Sequence, residues 1–361
     1  MDSKIYMELA VRMAERSVGL TAPNPPVGVI IVKDGRILSR GWTQEGGSPH
    51  AEIHAINQVR NKSLLKGSTI YSTLEPCSHR GKNPPCIDSI IKYKFKDVVI
   101  SQKDKNPLVS GEGIKRLKGK GIKVIQRNFG NNINKLNNIF FNSVNKNKPY
   151  VCLKIASTAD GKIATKTKES RWITGKHSRM MGHYLRSKND CILVGRGTVE
   201  KDNPSMNCRI AGLDHTSPDI FILDTKLNLN LNSNIFKLKG RKVFIFHNCS
   251  KVNKKQYKNI KLIKLNNSFD TLDINKVITA ISKKGYHRIL VEGGSELSTS
   301  LLKCNLIDKI YWFRASKVIG NEGIGAISNL NIKKMSLVKN FKLENSTRLE
   351  DDILDIYSRG Q

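Results

Sequence analysis

Three residue types in the first half of the chain ask for a metal. His50 stands in His50-Ala51-Glu52, Cys77 follows Pro76, and Cys86 closes the same segment. Zinc takes imidazole nitrogen and thiolate sulfur in a tetrahedral shell, and a catalytic site leaves the fourth position to water. With His50, Cys77 and Cys86 as ligands that position stays open, and the metal lowers the pKa of the water it holds. Glu52 is then left to carry protons. Two residues beyond His50, it reaches the water without displacing it. Taken singly, His50 or Cys77 reads more readily as a packed side chain, since cysteine commonly packs as a small hydrophobe. The set of four specifies chemistry.

The order H-x-E…P-C is also the opening of the zinc-deaminase signature, in which two residues separate the cysteines. Here eight do, Ser78 to Pro85. That insert is polar and rich in Pro and Gly, so it reads as a loop entering a helix near Pro84. A loop beside a metal can line a pocket, and His79, Arg80 and Lys82 would suit a phosphorylated substrate.

The elements that must hold these residues alternate. Lys4 to Arg16 has helical apolar spacing. Val27 to Val32 reads as a buried strand, and Lys33-Asp34-Gly35-Arg36 turns it into Ile37 to Trp42. Helix His50–Arg60, strand Thr69–Thr73, helix Pro84–Tyr93, strand Asp97–Ser101, helix Gly113–Lys118 and strand Ile122–Ile125 complete a layered α/β sheet. Both ligand groups then fall at helix N-termini, where the positive dipole end favours thiolate over thiol. Asn131 to Asn147 closes this part as a helix, and the boundary at Asn145 to Pro149 gives domains 1–147 and 148–361.

The second domain opens on strand Tyr150–Ser157, with Lys154 inside an apolar run. A lysine in a buried strand is rarely unpaired, so Lys154 is expected in a site near Asp160 or Asp202, as a catalytic candidate. A helix at Ser178–Ser187 follows, then strand Asp190–Val194 and a loop with a short turn at Gly195-Arg196-Gly197-Thr198. Further strands precede Arg288–Val291, which runs into Glu292-Gly293-Gly294-Ser295 and a helix to Leu302; the tail is β-rich. Strand-Glu-Gly-Gly-Ser-helix gathers backbone N–H groups where a phosphate could sit, though a glycine pair is also an ordinary turn. His177, His183, His215 and His287 lack metal spacing and read as solvated. Trp172 reads equally as a core or a site aromatic.

Bulk numbers narrow the class. The 361 residues suffice for two cores, and 39% of them are apolar. The net charge of +32 would suit a nucleic-acid binder. It is not clustered, however: 24 basic and 11 acidic residues lie up to Asn147, with 38 and 19 beyond. Aromatic content, at 6%, is too low for a stacking surface. Met1 to Arg16 contains no signal-peptide core, and no apolar run reaches membrane-spanning length. Seven cysteines without an export signal point to a reducing cytoplasm.

Thr73-Leu-Glu-Pro-Cys-Ser-His-Arg-Gly-Lys-Asn-Pro-Pro-Cys86 resembles the deaminase half of the bifunctional deaminase–reductases of riboflavin biosynthesis. Ala22-Pro23-Asn24-Pro25-Pro26-Val27-Gly28 and Pro49-His50-Ala51-Glu52 match the same family, and the order of elements after Pro149 is similar to its reductase half. Two positions depart from it: Thr43 stands where the family usually has His, and Lys105 replaces a Pro in Asp104-Lys105-Asn106-Pro107. The resemblance implies an N-terminal cytidine-deaminase-like three-layer domain and a C-terminal dihydrofolate-reductase-like domain. It implies zinc and NADPH as cofactors. Ala156, Trp172, Thr198, Asp202, Thr225, Gly294, Ser295, Glu296, Leu297, Ser298, Thr299 and Ser300 would contact NADPH. Ser170, Arg186, Ser205, Arg209 and Glu292 would hold the substrate, with Arg186 and Arg209 suited to its ribose phosphate.

The expected function is hydrolytic deamination of a phosphoribosylamino-diaminopyrimidinone, then reduction of its ribosyl chain to ribityl. The partner would be a small phosphorylated pyrimidine, with neither nucleic acid nor membrane involved, and a homo-oligomer stays open. A nucleic-acid deaminase with a basic clamp domain is the alternative, and a zinc-stabilised binding scaffold the third reading. An intact Glu52 speaks against the scaffold, which has no use for that carboxylate.

Overall fold

Val29 and Ile31 point to one face of their strand and Ile30 and Val32 to the other, and both faces are buried. This is the sequence signature of a sheet covered on both sides. The computed structural model describes residues 3–80, 84–105, 111–237, 239–252, 260–265 and 271–360. Lys82, Asn106 and Pro107, singled out above, lie outside them. The chain divides into two compact units, Met1–Lys148 with Ser282–His287, and Pro149–Ile281 with Arg288–Gln361.

The first unit runs α1 (Ser3–Arg16), β1 (Gly28–Lys33), β2 (Arg36–Trp42), α2 (Ala51–Gln58), β3 (Thr69–Ser72), α3 (Cys86–Lys92), β4 (Asp97–Ile100), α4 (Glu112–Gly119), β5 (Lys123–Gln126) and α5 (Asn131–Lys146). Its sheet has the order β2-β1-β3-β4-β5. β1 is antiparallel to β2 and β3, whereas β3, β4 and β5 are parallel. Tyr6, Met7 and Ala10 of α1 pack on Ile30, Val32 and Val99. Ala55, Ile56, Ile87, Ile90 and Leu117, from α2, α3 and α4, pack on Val29, Ile31, Ile70 and Val98. The result is three layers.

The second unit runs β6 (Tyr150–Thr158), β7 (Lys162–Ala164), α6 (Lys176–Ser187), β8 (Cys191–Gly195), α7 (Arg196–Asp202), β9 (Asp219–Leu223), β10 (Val243–His247), β11 (Ile260–Lys264), α8 (Ile274–Lys283, whose end joins the first unit), β12 (Arg288–Val291), α9 (Ser295–Lys303), β13 (Lys309–Ala315), β14 (Ile324–Gly325), β15 (Phe341–Leu349) and β16 (Asp352–Arg359). The main sheet has the order β11-β10-β9-β8-β12-β6-β13-β16-β15. It is parallel from β11 to β13 and antiparallel at β16 and β15. The loop and turn expected at Gly195 to Val199 is instead α7. Val199 in its middle is fully buried, and that burial outweighs the roughly 1 kcal/mol cost of Gly197 in a helix. Among the described residues no helix is long and apolar enough to cross a membrane.

Candidate functional sites

In the first unit the fold delivers the three expected ligands to one point. His50 is the extended residue immediately before α2, Cys86 is the first residue of α3, and Cys77 lies in the loop after β3. Gly41 lets α2 come close to β2: a Cβ there would lie 2.3 Å from the Ala51 carbonyl oxygen. Glu75 fixes the other side. Buried, it accepts backbone N–H groups of Asp104, Gly111 and Ile114 at 3.1–3.3 Å, tying the loop before Cys77 to the start of α4.

Nδ1 of His50 lies 3.4 Å from Sγ of Cys77 and 3.3 Å from Sγ of Cys86, and the ligand atoms all lie within 4.8 Å of one another. Zinc bonds of about 2.3 Å to sulfur and about 2.0 Å to nitrogen, arranged tetrahedrally, set such atoms roughly 3.5 Å apart. The donor set and its spacing therefore fit the ion. The Cys86 thiol, hydrogen bonded to Cys77, holds the Cys77 sulfur down to about 4, and the Cys86 backbone N–H donates to it at 3.3 Å. A ready thiolate is what a metal needs. Glu52 is buried at 4% exposure and interacts with Cys86. Burial pushes its carboxyl up to about 6, and the Cys77 sulfur adds to the rise.

Thr43 is buried and occupied structurally. Its hydroxyl donates to the Pro25 carbonyl and accepts from the Val27 N–H, both at 3.0 Å. Lys105 sets its ammonium 5.5 Å from the centroid of Phe141, so it packs on the domain rather than reaching the ligands.

In the second unit several candidates follow the carboxyl ends of parallel strands, the edge where open α/β sheets bind ligands. Lys154 and Ala156 share one face of β6 by alternation. Thr198 and Asp202 lie on α7 after β8, Thr225 follows β9, and Glu292 and Gly294 follow β12. Burial lowers the Lys154 ammonium against the pull of Glu292 and Asp202. Of the two expected neighbours of Lys154, Asp202 acts on it electrostatically, after Glu292. Asp160 is engaged elsewhere, accepting the N–H groups of Ile319 and Gly320.

Arg186 and Glu292 form a pair that the sequence did not reveal. Nε and Nη2 of Arg186 donate to the two carboxylate oxygens of Glu292 at 2.6 and 2.8 Å, and Nη1 donates to the Asn207 carbonyl at 2.9 Å. Burial opposes ionisation of Glu292, yet Arg186 and then Lys154 hold its carboxyl below the ordinary value. The guanidinium of Arg186 is committed to this pair. Arg209 is exposed, its Nε on the His183 ring at 3.2 Å. Ser170 donates to Asp202 at 3.2 Å, and the Ser205 carbonyl accepts from Arg241.

Trp172 is 61% exposed with Arg179 over its ring at 4.5 Å, so it is not a core residue. A Cβ on Gly294 would meet nothing within 4 Å, which leaves the backbone before α9 facing open space that suits a phosphate. The stretch is presented unevenly, with Glu296 and Ser300 exposed. Leu297, Ser298 and Thr299 are buried, and Ser298 and Ser300 turn their hydroxyls back to the Gly294 and Glu296 carbonyls. Ser295 hydrogen bonds Ser328, and the Thr225 carbonyl accepts from Asn248.

The solvated reading of the histidines holds for exposed His215 and for His177, which pairs with Glu350 at 2.8 Å. It fails for half-buried His183, bonded to the Asn207 carbonyl, and for His287, which is buried.

Residues 1–102 match the cytidine and deoxycytidylate deaminase zinc-binding region, and residues 149–354 match the RibD C-terminal domain. The riboflavin biosynthesis protein RibD of Aquifex aeolicus is 36% identical over 99% of this chain and 98% of its own length. That of Bacillus amyloliquefaciens is 37% identical over 96% and 94%. Acinetobacter baumannii RibD superposes with a TM-score of 0.88 at 30% identity, covering 99% of both chains. The Thermotoga maritima diaminohydroxyphosphoribosylaminopyrimidine deaminase/5-amino-6-(5-phosphoribosylamino)uracil reductase superposes with a TM-score of 0.85 at 33% identity, covering 99% of this chain and 98% of its own. With both domains matched in order over nearly its whole length, the chain belongs to the RibD family, the zinc- and NADPH-dependent deaminase–reductases of riboflavin biosynthesis.

Proposed function

We propose that the two reactions divide between the two units, deamination at His50, Glu52, Cys77 and Cys86, and reduction around Lys154. The convergence of His50, Cys77 and Cys86 beside a buried carboxylate carries the reading. His50, Cys77 and Cys86 would hold the zinc, which when bound supplies Lewis acidity at the position they leave open. Glu52 takes the proton of the attacking water and returns it to the departing amine, a task suited to a carboxyl poised near 6. Water adds to the amine-bearing ring carbon, the C–N bond breaks, and ammonia leaves.

NADPH would lie along the carboxyl edge by Ala156, Thr198 and Gly294, with Trp172, Asp202, Thr225 and the first turn of α9 around it, and it supplies hydride when bound. Lys154 donates the proton that balances hydride addition at the sugar carbon, a role suited to an ammonium that burial has made more acidic. Arg186 would fix Glu292 for the substrate, while Arg209, with Ser170 and Ser205, would hold the substrate and its phosphate. The substrates we infer are those named for the Thermotoga relative: a phosphoribosylamino-diaminopyrimidinone, then the deaminated phosphoribosylamino-uracil.

A cytoplasmic setting suits seven cysteines that are all unpaired. We assign no nucleic-acid or membrane partner. The nucleic-acid deaminase reading is not favoured, because residues 149–354 match a reductase domain where it needs a clamp. The test supplies the diaminopyrimidinone with and without NADPH, following ammonia and cofactor oxidation separately. Ammonia should appear without NADPH and cease on chelation, and NADPH oxidation should follow only on the deaminated compound. Oxidation before deamination would overturn the division.

A further inference from the structure

A short segment from late in the sequence is built into the first unit. Ser282–His287 belongs to it by packing, although it follows the strand order of the second. His287 is buried, with Nε2 2.8 Å from the Pro23 carbonyl oxygen and Nδ1 2.8 Å from the Ser143 hydroxyl. A carbonyl only accepts, so Nε2 carries the hydrogen and Nδ1 accepts from Ser143. Ser282 completes the chain by hydrogen bonding the Ser143 hydroxyl at 3.0 Å and carbonyl at 3.2 Å. Gly285 converges on the same point: its φ is +87°, and a Cβ there would lie 2.6 Å from Cβ of Pro23.

Pro23 is not an arbitrary anchor. It lies in the Ala22–Pro26 loop, which is knitted to the segment that ends at the metal ligand. Asn24 donates to the Gly47 carbonyl at 2.9 Å, Thr43 donates to the Pro25 carbonyl, and Gln44 N–H donates to the Pro49 carbonyl at 3.0 Å. A Cβ on Gly47 would meet the Asn24 side chain at 2.5 Å, so the two loops touch closely. Pro49 precedes His50 directly. The path from His287 to the ligand is therefore continuous: imidazole to Pro23, the Ala22–Pro26 loop to the Thr43–Pro49 segment, and that segment to His50.

We propose that His287 is a positioning residue of the deaminase site, acting through the Pro23 loop although it lies 264 residues away in sequence. The proposal rests on the deaminase reading of the first unit. It concerns neither a ligand nor a proton-transfer group, and a loop displaced by about an ångström is enough to cost up to a hundredfold in rate.

The test uses the full chain. His287→Ala should lower deaminase kcat/KM by about tenfold, with zinc content and reductase kcat/KM unchanged. His287→Gln, whose amide can donate to Pro23 and accept from Ser143, should restore most of the loss. Equal losses in both activities, or loss of zinc, would show a general structural role and overturn the proposal, as would unchanged deamination in His287→Ala. If His287→Ala does not fold, Ser143→Ala removes only the hydroxyl that orients the ring and should give a smaller loss confined to deamination; no loss there also overturns it. Absence of ammonia release by the unmodified enzyme would instead refute the deaminase reading itself.

Discussion

Two buried carboxylates, Glu52 and Glu292, are set in opposite directions by their neighbours. Glu52 is raised by burial without a cationic partner strong enough to offset it. Glu52→Gln keeps its shape and removes proton transfer, so zinc should stay bound while deamination falls at least about a hundredfold; near-normal turnover with bound zinc would assign the proton to another group. Glu292 is equally buried but faces Arg186 and Lys154, which bring it below its ordinary 4.5. A carboxyl with a depressed folded value stabilises the fold fully above its unfolded value. That contribution is lost as pH falls through the folded value. Breaking a buried pair costs about 3–5 kcal/mol, so Glu292→Gln should lower the melting point of the second unit near pH 7. The difference from the parent should shrink as pH falls below about 4.5. Parallel melting curves across that range would mean Arg186 finds equal compensation elsewhere.

Elements decide how those residues meet, and here the sequence was legible in part. The three ligands and Glu52 could be read from their types and order, although Cys77 lies in the loop after β3 and only His50 and Cys86 stand at helix starts. Strand alternation at Val29 to Val32 and the helix after Pro84 were legible for the same reason, local spacing. What stayed hidden depended on distant partners. Arg186 and Glu292 meet across 106 residues, so each looked like an isolated charge. His287 has partners at 144 and 264 residues, so nothing beside it announced burial. α7 was hidden by Gly195 before it and Gly197 within it, since propensity does not show that Val199 will be buried. The role of Glu75 is equally non-local, since it accepts N–H groups of α4 and the preceding loop 29 to 39 residues on. The same contact makes a prediction about an element. A Cβ on Gly113 of α4 would sit 2.6 Å from the Pro76 carbonyl oxygen, whereas one on Gly119 would meet nothing within 4 Å. Gly113→Ala should push Pro76-Cys77 away and weaken zinc retention against a chelator. Gly119→Ala should keep zinc and gain roughly 0.5 kcal/mol from the stiffer unfolded chain. Equal zinc retention in the two variants would show that Pro76 yields without moving Cys77.

For the whole molecule, the division of labour and the chain's order in space do not coincide. The proposed deaminase residues lie before Asn147 and the proposed reductase residues after Pro149, which suggests cutting the chain between them. The first unit, however, also owns Ser282–His287. A fragment of residues 1–148 would therefore keep the metal ligands, Glu52 and the Glu75 clamp, but would lose every contact from Gly285 and His287 to Pro23. It should fold and hold about one zinc, because the ligands, α2, α3 and their core are all internal to it. Its deaminase kcat/KM should fall below that of the full chain by about the factor found for His287→Ala, since both remove the same support from the Ala22–Pro26 loop. Residues 149–361 should reduce the deaminated compound without zinc, because Lys154, Arg186, Glu292 and α9 are all internal to that piece. Full deaminase activity in the short fragment would show that the loop holds its place without the late segment. Failure of the long fragment on its own substrate, with the short one active, would mean that the reductase needs the deaminase unit as a scaffold.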